Sequence, residues 1–270
     1  MSSRVYAWAR SMRRDRGMSL LMGASEASGH AVTDTLEGWP VTEPDSDARD
    51  ADANDAELAR QFLELTRHEE AKLVQRVFLS SGLDVPRAVL FAGVESDNGS
   101  ADVCLRVGHA ITRMTRRSVC VMDADLRAPK LQDLVGADVG EGLADAIANP
   151  DATCSLTRRL APEHLWLLAA GSAADRDSPV SVDRMSACLT ALGTRFEHVV
   201  ISAPPIDSWA ESMAVSGLVD GVVLVLRAHV TRREIVRHVI ARLEDFETPL
   251  LGVVLNDRTF PIPEAVYRLI

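Results

Sequence analysis

The chain has 270 residues, of which 47% are hydrophobic and 25% are charged, a composition typical of a globular protein with its own core. Its formal net charge of −10 argues against a nucleic-acid scaffold, and we expect no nucleic-acid partner. No apolar run approaches the roughly 18–20 residues that a membrane span needs. The four cysteines lie far apart without a CxxC pair, so neither a zinc site nor a disulfide framework is indicated.

The beginning of the chain differs in composition from the rest. Residues 1–20 contain five arginines, and residues 31–57 contain nine acidic residues, interrupted by Pro40 and Pro44. Such a stretch buries too little apolar surface to offset the entropy of ordering it. We therefore expect residues 1–56 to be a disordered tail or linker, first basic and then acidic, and residues 57–270 to form one domain. For the basic part, contact with an anionic membrane is the alternative.

From residue 56 onward, helical patterns alternate with short apolar runs. Apolar residues at helical spacing between Leu58 and Val77 predict a first helix. Buried strands are predicted at 88–92, 118–122, 165–169, 198–202, 221–226 and 250–255, and helices at 102–115, 140–148, 181–194 and 231–243. Because such alternation is typical of parallel strands covered on both faces, the sequence predicts an α/β fold with a doubly wound, mostly parallel sheet.

Polar groups follow the carboxyl ends of these predicted strands. In doubly wound sheets, ligands bind just beyond those ends. The groups concerned are Gly93–Ser100, Asp123–Arg127, Ser202–Pro205, Arg227 and Asn256. We expect them to converge on one site.

Several segments resemble, in order, the motifs of the bacterial tyrosine autokinases, which are P-loop proteins related to the MinD/ParA class and act in capsule and exopolysaccharide export. Val119–Pro129 resembles the apolar-DADLRxP segment of that family, and Phe196–Pro205 resembles FDxVIIDxPP. Further matches are Glu141–Asp145, Leu168–Gly171, Asp220–Arg227, Thr231 and Gly252–Asn256. The resemblance covers roughly residues 57–257 and implies a P-loop NTPase architecture of the MinD and autokinase kind.

The resemblance also implies a site for ATP and Mg²⁺. In an active enzyme Asp123 would serve near magnesium and the attacking hydroxyl, and Asp125 would help organise the site, so both are candidate catalytic and metal-binding residues. Asn256 stands where the family reads adenine. Candidate cofactor-binding residues are Gly93, Asn98, Gly99, Ser100, Ala101, Arg127 and Asn256. Paired aspartates at a strand end can instead cap the following helix, and Asn256 can instead satisfy a loop backbone.

The loop after the first predicted strand departs from the P-loop pattern. A P-loop needs glycine amides, a lysine for the phosphates and a Ser or Thr hydroxyl for magnesium. Counted from Gly93, the spacing puts Asn98 in a glycine slot, Gly99 in the lysine slot and Ser100 in the Ser/Thr slot. Shifting the register by one or two residues puts Ser100 or Ala101 in the lysine slot.

No register supplies a lysine, because the chain has only Lys72 and Lys130. The loop instead carries Glu95, Asp97 and Asp102, and three carboxylates repel a triphosphate unless a metal intervenes. The acidic residue that the family has before its Pro-Pro pair is Ser202 here. We therefore expect the binding of ATP and Mg²⁺ to be weak or absent.

Three functions fit these patterns. The leading hypothesis is a non-catalytic, cytoplasmic relative of the autokinases that docks on a membrane polysaccharide copolymerase of the chain-length-determinant type, at the inner face of the plasma membrane. The alternatives are an active ATP-dependent tyrosine autokinase and a MinD/ParA-like positioning ATPase. The family's ring-forming helix suggests a homo-oligomer, but its arginine pattern is broken here at Glu70, Leu73 and Arg76. The family's C-terminal tyrosine cluster is reduced to Tyr267.

Overall fold

The computed structural model describes residues 67–79, 85–137, 140–160, 164–171, 180–206 and 210–257. The expectations for residues 1–56, for the beginning of the first helix and for Tyr267 lie outside the described residues. Within the described part, no helix is both long enough and apolar enough to cross a membrane.

The described elements alternate along the chain between helices and strands. They are α1 (described over residues 67–78), β1 (Ala88–Gly93), α2 (Ser100–Thr115), β2 (Val119–Asp123), α3 (Leu131–Val135), α4 (Leu143–Ala148), a short 3₁₀ helix (Pro150–Ala152), β3 (Arg158–Leu160), β4 (Leu165–Leu168), α5 (Val182–Arg195), β5 (His198–Ala203), α6 (Ala210–Ser216), β6 (Gly221–Arg227), α7 (Arg233–Asp245) and β7 (Leu250–Asn256).

The strands form one seven-stranded sheet in the order β3-β4-β2-β5-β1-β6-β7. All neighbouring strands are parallel except β3, which pairs antiparallel with β4. The predicted α/β fold with a mostly parallel sheet is therefore confirmed. Strand β3 was not predicted, because its three residues include the exposed Arg158 and Arg159 and form no apolar run.

Two apolar layers cover the two faces of the sheet. Alternate residues of β1 point to opposite layers: Leu90 packs with α5 and α7, whereas Phe91 packs with α1 and α2. Both side chains are fully buried, and burying one side chain of this size contributes about 1.5–3 kcal/mol. With both faces covered, the carboxyl-end edge of the sheet is where polar loops can gather.

Helix α1 packs across one face of the sheet, between the central strand β5 and the edge strand β7. Phe78 is fully buried and lies edge-on to the ring of His198, with 5.4 Å between the ring centroids. Glu70 approaches Arg106 of α2, with 3.7 Å between Oε1 and Nε. Residues of α1 and α2 and Val253–Leu255 of β7 line a cavity of about 340 Å³. The described chain therefore starts beside the edge strand.

Candidate functional site

A cavity of about 320 Å³ lies at the carboxyl-end edge of the sheet. The loop between β1 and α2, the segment after β2 and the end of β5 line it. Its lining includes Asp97, Asn98, Gly99, Ser100, Ala101, Asp123, Asp125, Arg127, Lys130, Ser202 and Pro204. The structure thus brings together most of the candidate residues from the sequence, whereas Gly93 and Asn256 do not line the cavity.

The loop from β1 to α2 turns through two left-handed backbone positions. Asp97 has φ 57° and Gly99 has φ 81°, and the helix begins immediately afterwards at Ser100. The first backbone amides of α2 therefore point toward the cavity edge of the sheet. Free amides at a helix N-terminus are the groups that hold phosphate in a P-loop.

The side chain of Asn98 fills the inside of this loop. It is only 4% exposed, its Nδ2 donates to the Glu95 carbonyl, and its Oδ1 accepts the Ser100 amide N–H at 2.8 Å. A Cβ on Gly93 would lie 1.7 Å from Asn98 Nδ2, so glycine at position 93 makes room for this side chain. The carboxamide of Asn98 therefore engages the first amide of α2.

Asn256, at the end of β7, makes a second hydrogen bond to the same loop. It is 2% exposed, and its Nδ2 donates to the backbone carbonyl of Asn98 at 2.8 Å. A Cβ on Gly99 would lie 2.3 Å from Asn256 Nδ2, so both this close approach and the positive φ favour glycine at position 99. This hydrogen bond is the one expected if Asn256 satisfies a loop backbone.

Asp123 is buried at the end of β2 and accepts three backbone hydrogen bonds. Its Oδ2 accepts the N–H groups of Lys130 and Leu131, each at 2.9 Å, and its Oδ1 accepts the Asp125 N–H at 3.2 Å. The carboxylate therefore satisfies the first amides of α3, which no intrahelical bond can reach. Burial raises the pKa of Asp123 to about 6, although the three N–H donors oppose this shift.

Asp125 is half-buried and closes the turn that follows β2. Its Oδ1 accepts the Ala128 N–H at 2.9 Å. Ser202 lies opposite Asp123 in the paired strands β2 and β5 and is 2% exposed. Among the described residues, no group of three or more His, Cys, Asp or Glu side chains could hold a metal ion.

Lys130 lies at the mouth of the cavity and was missed in the sequence-based list of site residues. Its ammonium group forms an ion pair and hydrogen bond with the Asp97 carboxylate, which lowers the pKa of Asp97. Lys130 follows the segment Asp123–Pro129 directly. The sequence predicts that this segment lies at the same sheet edge as the loop. The position of Lys130 directly after the segment could therefore have placed this lysine near the site.

No model of a known protein family matches the chain. Over 169 residues, or 62% of the chain, it is 24% identical to the tyrosine-protein kinase wzc of Salmonella typhi. The match spans only 23% of the length of that relative.

Solved structures that share the fold include those of CapA2B2 and MinD. The chimerical protein CapA2B2 superposes with a TM-score of 0.65 at 17% identity, covering 72% of this chain and 85% of that one. The septum site-determining protein MinD from Pyrococcus horikoshii OT3, complexed with Mg-ADP, superposes with a TM-score of 0.55 at 18% identity, covering 68% and 77%. The chain therefore has the fold of these proteins and is distantly similar in sequence to a bacterial tyrosine kinase.

Proposed function

We propose that the chain is an autokinase-like component of exopolysaccharide or capsule export whose nucleotide site is degenerate. It acts in the cytoplasm by docking on a membrane polysaccharide copolymerase at the inner face of the plasma membrane. The similarity to wzc supports the kinase-like class. The partner is supported by the similarity to CapA2B2, a chimera whose name joins CapA to CapB.

The closed loop between β1 and α2 carries the proposal. Asn98 already occupies the Ser100 amide that a phosphate would need. Gly99, in the lysine slot, has a backbone conformation and a close neighbour, Asn256, that both disfavour a side chain there. The residues present therefore do not fit a nucleotide phosphate unless the loop rearranges.

The acidic groups of the site also support weak nucleotide binding. Asp123 would have to give up backbone hydrogen bonds at the start of α3 to bind magnesium. Ser202 supplies a hydroxyl where the autokinases have a carboxylate. With these contacts missing, we expect a dissociation constant for MgATP above about 1 mM, equivalent to less than about 4 kcal/mol of binding free energy.

Lys130 favours a second candidate, an active tyrosine autokinase. Its ammonium group lies at the cavity mouth, where it could replace the missing loop lysine once it leaves Asp97. In that case the dissociation constant for MgATP lies in the micromolar range, and binding depends on the charge of Lys130.

Calorimetric titration with MgATP separates the two candidates. Wild-type protein is expected to give no measurable binding below millimolar nucleotide. The triple variant Asn98→Gly, Ser100→Lys, Ser202→Asp is expected to bind about tenfold more tightly or better, since one charge-assisted hydrogen bond contributes about 1.5–3 kcal/mol. The matched control is Asn98→Gly with Ser202→Asp and no new lysine. Micromolar wild-type binding that disappears in Lys130→Ala would establish the second candidate instead.

Complementation in cells tests the role in export. In a strain lacking the gene, the wild-type chain and the Asp125→Ala variant are expected to restore polysaccharide export equally. A kinase would lose activity when a residue of its phosphoryl-transfer site is removed. Failure of Asp125→Ala at normal protein abundance, with the wild-type chain active, would contradict the non-catalytic proposal.

A further inference from the structure

Three arginines form an exposed basic face at the beginning of α7. Arg232 is the N-cap of the helix, Arg233 is its first residue, and Arg237 lies one turn later. None of the three forms an ion pair with a carboxylate of the described residues. Positive charge at this end of a helix opposes the helix dipole, and Glu234 is the sole acidic residue of the first turn. The face is therefore suited to an anionic partner.

Exposed apolar side chains lie on the neighbouring segments. Val230 precedes α7 and is 50% exposed, and Val253 and Leu255 of β7 are 48% and 44% exposed. Strand β7 is an edge of the described sheet. Proteins usually cover or charge such an edge, because an uncovered one can pair with another chain. Around α7 and β7, the surface is thus both basic and apolar.

We infer that this surface binds residues 34–57 of the same chain, here called the acidic segment, although composition alone predicts that this stretch is disordered in isolation. The acidic segment contains nine acidic residues and a single arginine, so its charge is opposite to that of the arginine face. It also contains Leu36, Trp39 and Val41, which can cover exposed apolar side chains. Docking combines ion pairing with burial of apolar surface, and the segment covers the β7 edge.

The path of the chain allows this contact. Helix α1 lies beside β7, since Leu73 and Arg76 share a cavity with Val253 and Leu255. The start of α7 is also close to the end of β7, where Asp257 pairs with Arg227, the last residue of β6, at 3.5 Å. Helices α1 and α7 cover opposite faces of the sheet, so the chain has to pass the β7 edge over about 20 Å, two layer spacings of about 10 Å each. Residues 58–66 span about 14 Å if the predicted helix includes them and up to about 30 Å if extended, and the acidic segment itself supplies further length. A tethered segment of this kind has an effective concentration of about 1 mM.

The docked segment borders the candidate site. Thr231, directly before the arginine face, has its hydroxyl 3.4 Å from the Glu95 carboxylate of the loop. Bound there, the acidic segment places further carboxylates beside the cavity mouth.

Zero-length carbodiimide cross-linking tests this contact directly, since it joins lysine amines only to carboxylates that touch them. The chain has only two native lysines, so new ones give a clean signal. The full-length variant Arg233→Lys, Arg237→Lys keeps both charges. Its matched control, Arg113→Lys with Arg116→Lys, places exposed lysines at the far end of α2. Cross-linked peptides are identified by mass spectrometry.

We expect cross-links from positions 233 and 237 to residues 34–57 at least about fivefold more abundant than those from the control positions. Because exposed charges are screened by salt, the signal should fall by more than half between about 50 mM and about 500 mM salt. Mixing ¹⁴N- and ¹⁵N-labelled protein distinguishes contacts within one chain from contacts between two copies. Equal abundance at the control positions, no cross-links to the segment, or cross-links only between copies would overturn the inference.

Amide exchange on the unmodified arginine face gives a second measurement. In the full chain, Asp45→Asn, Asp47→Asn, Asp50→Asn and Asp52→Asn remove charge from the middle of the acidic segment. We expect exchange over residues 232–237 to become at least about twofold faster than in wild type. Unchanged exchange there would contradict docking, whether or not the lysine variants fold.

Discussion

Two loops at the same sheet edge differ in how closely their sequences resemble the autokinase pattern. The β2–α3 segment matches the autokinase-like Asp-Ala-Asp-Leu-Arg sequence at residues 123–127, whereas the β1–α2 loop contains no lysine. Yet both loops are closed by their own side chains. Asp123 binds the first amides of α3, and Asn98 binds the first amide of α2.

A segment can resemble a kinase motif in sequence without performing the chemistry of that motif. The hydrogen bonds of Asp123 would be useful in a protein that binds no nucleotide, because a buried helix start needs acceptors for its free N–H groups. A family-like aspartate pair therefore says little about catalysis by itself. The β1–α2 loop is the more informative of the two, since Asn98 engages the Ser100 amide, which a phosphate bound at the start of α2 would require.

The largest effect is expected from removing Asp123. Asp123→Ala leaves three backbone N–H groups without their acceptor, and each buried unsatisfied group costs about 1–3 kcal/mol. Relief of the buried charge offsets part of this loss, and we expect unfolding free energy to fall by about 4 kcal/mol in urea titrations. The control Asp125→Ala removes one acceptor from a half-buried turn and should cost about 1 kcal/mol. Equal losses of unfolding free energy in the two variants would contradict the view that Asp123 caps a buried helix start whereas Asp125 only closes a turn.

The pH dependence of stability should carry the signature of Asp123. Its pKa is about 6 in the folded protein against an ordinary value of 3.8, so the native state holds the proton more tightly than the unfolded chain. Its stabilising contribution is therefore complete below pH 3.8 and is lost as pH rises through about 6, a change of about 3 kcal/mol.

Urea titrations of wild type and Asp123→Asn between pH 4 and pH 7 measure this contribution as the difference between the two proteins. The unfolding free energy of wild type should fall relative to that of Asp123→Asn as pH rises. A difference that is independent of pH would mean that Asp123 is ionised as readily in the folded state as in the unfolded chain.

The sheet could be predicted because each buried strand is a continuous apolar run. Strands β1, β2 and β4–β7 match predicted runs within one or two residues at their ends. Helices α3 and α6 were missed. Helix α3 has five residues and α6 has seven, too few for a helical period to stand out.

The roles of the site residues were harder to predict. That strand ends converge follows from topology, and the cavity lined by Asp123, Ser202 and the loop agrees with that expectation. The hydrogen bonds of Asn98 depend on the left-handed turns at Asp97 and Gly99, which spacing does not specify. Lys130 was missed because it lies far from the loop in sequence and reaches Asp97 only through space.

A smaller effect is expected from opening the β1–α2 loop. Asn98→Ala removes both side-chain hydrogen bonds and leaves a gap beside Gly93, so we expect about 2 kcal/mol of lost stability. The exposed Ser96 in the same loop provides the control, and Ser96→Ala should change stability by less than about 0.5 kcal/mol. If both substitutions lower stability by the same small amount, the conformation of the β1–α2 loop does not depend on Asn98. In that case Asp123 alone of the two capping side chains is important for stability.

The smallest effect is expected from the ion pair that joins the two loops. Lys130 and Asp97 have side chains that are 47% and 78% exposed, and exposed pairs of this kind contribute about 0–1 kcal/mol because water and salt screen them. Lys130→Met should therefore lower the unfolding free energy by less than about 1 kcal/mol, and the loss should vanish at high salt. The double variant with Asp97→Asn should add nothing beyond the two single changes at high salt. A loss above about 2 kcal/mol would show that the two loops are held together by this contact, in which case the β1–α2 loop is not closed by Asn98 and Asn256 alone.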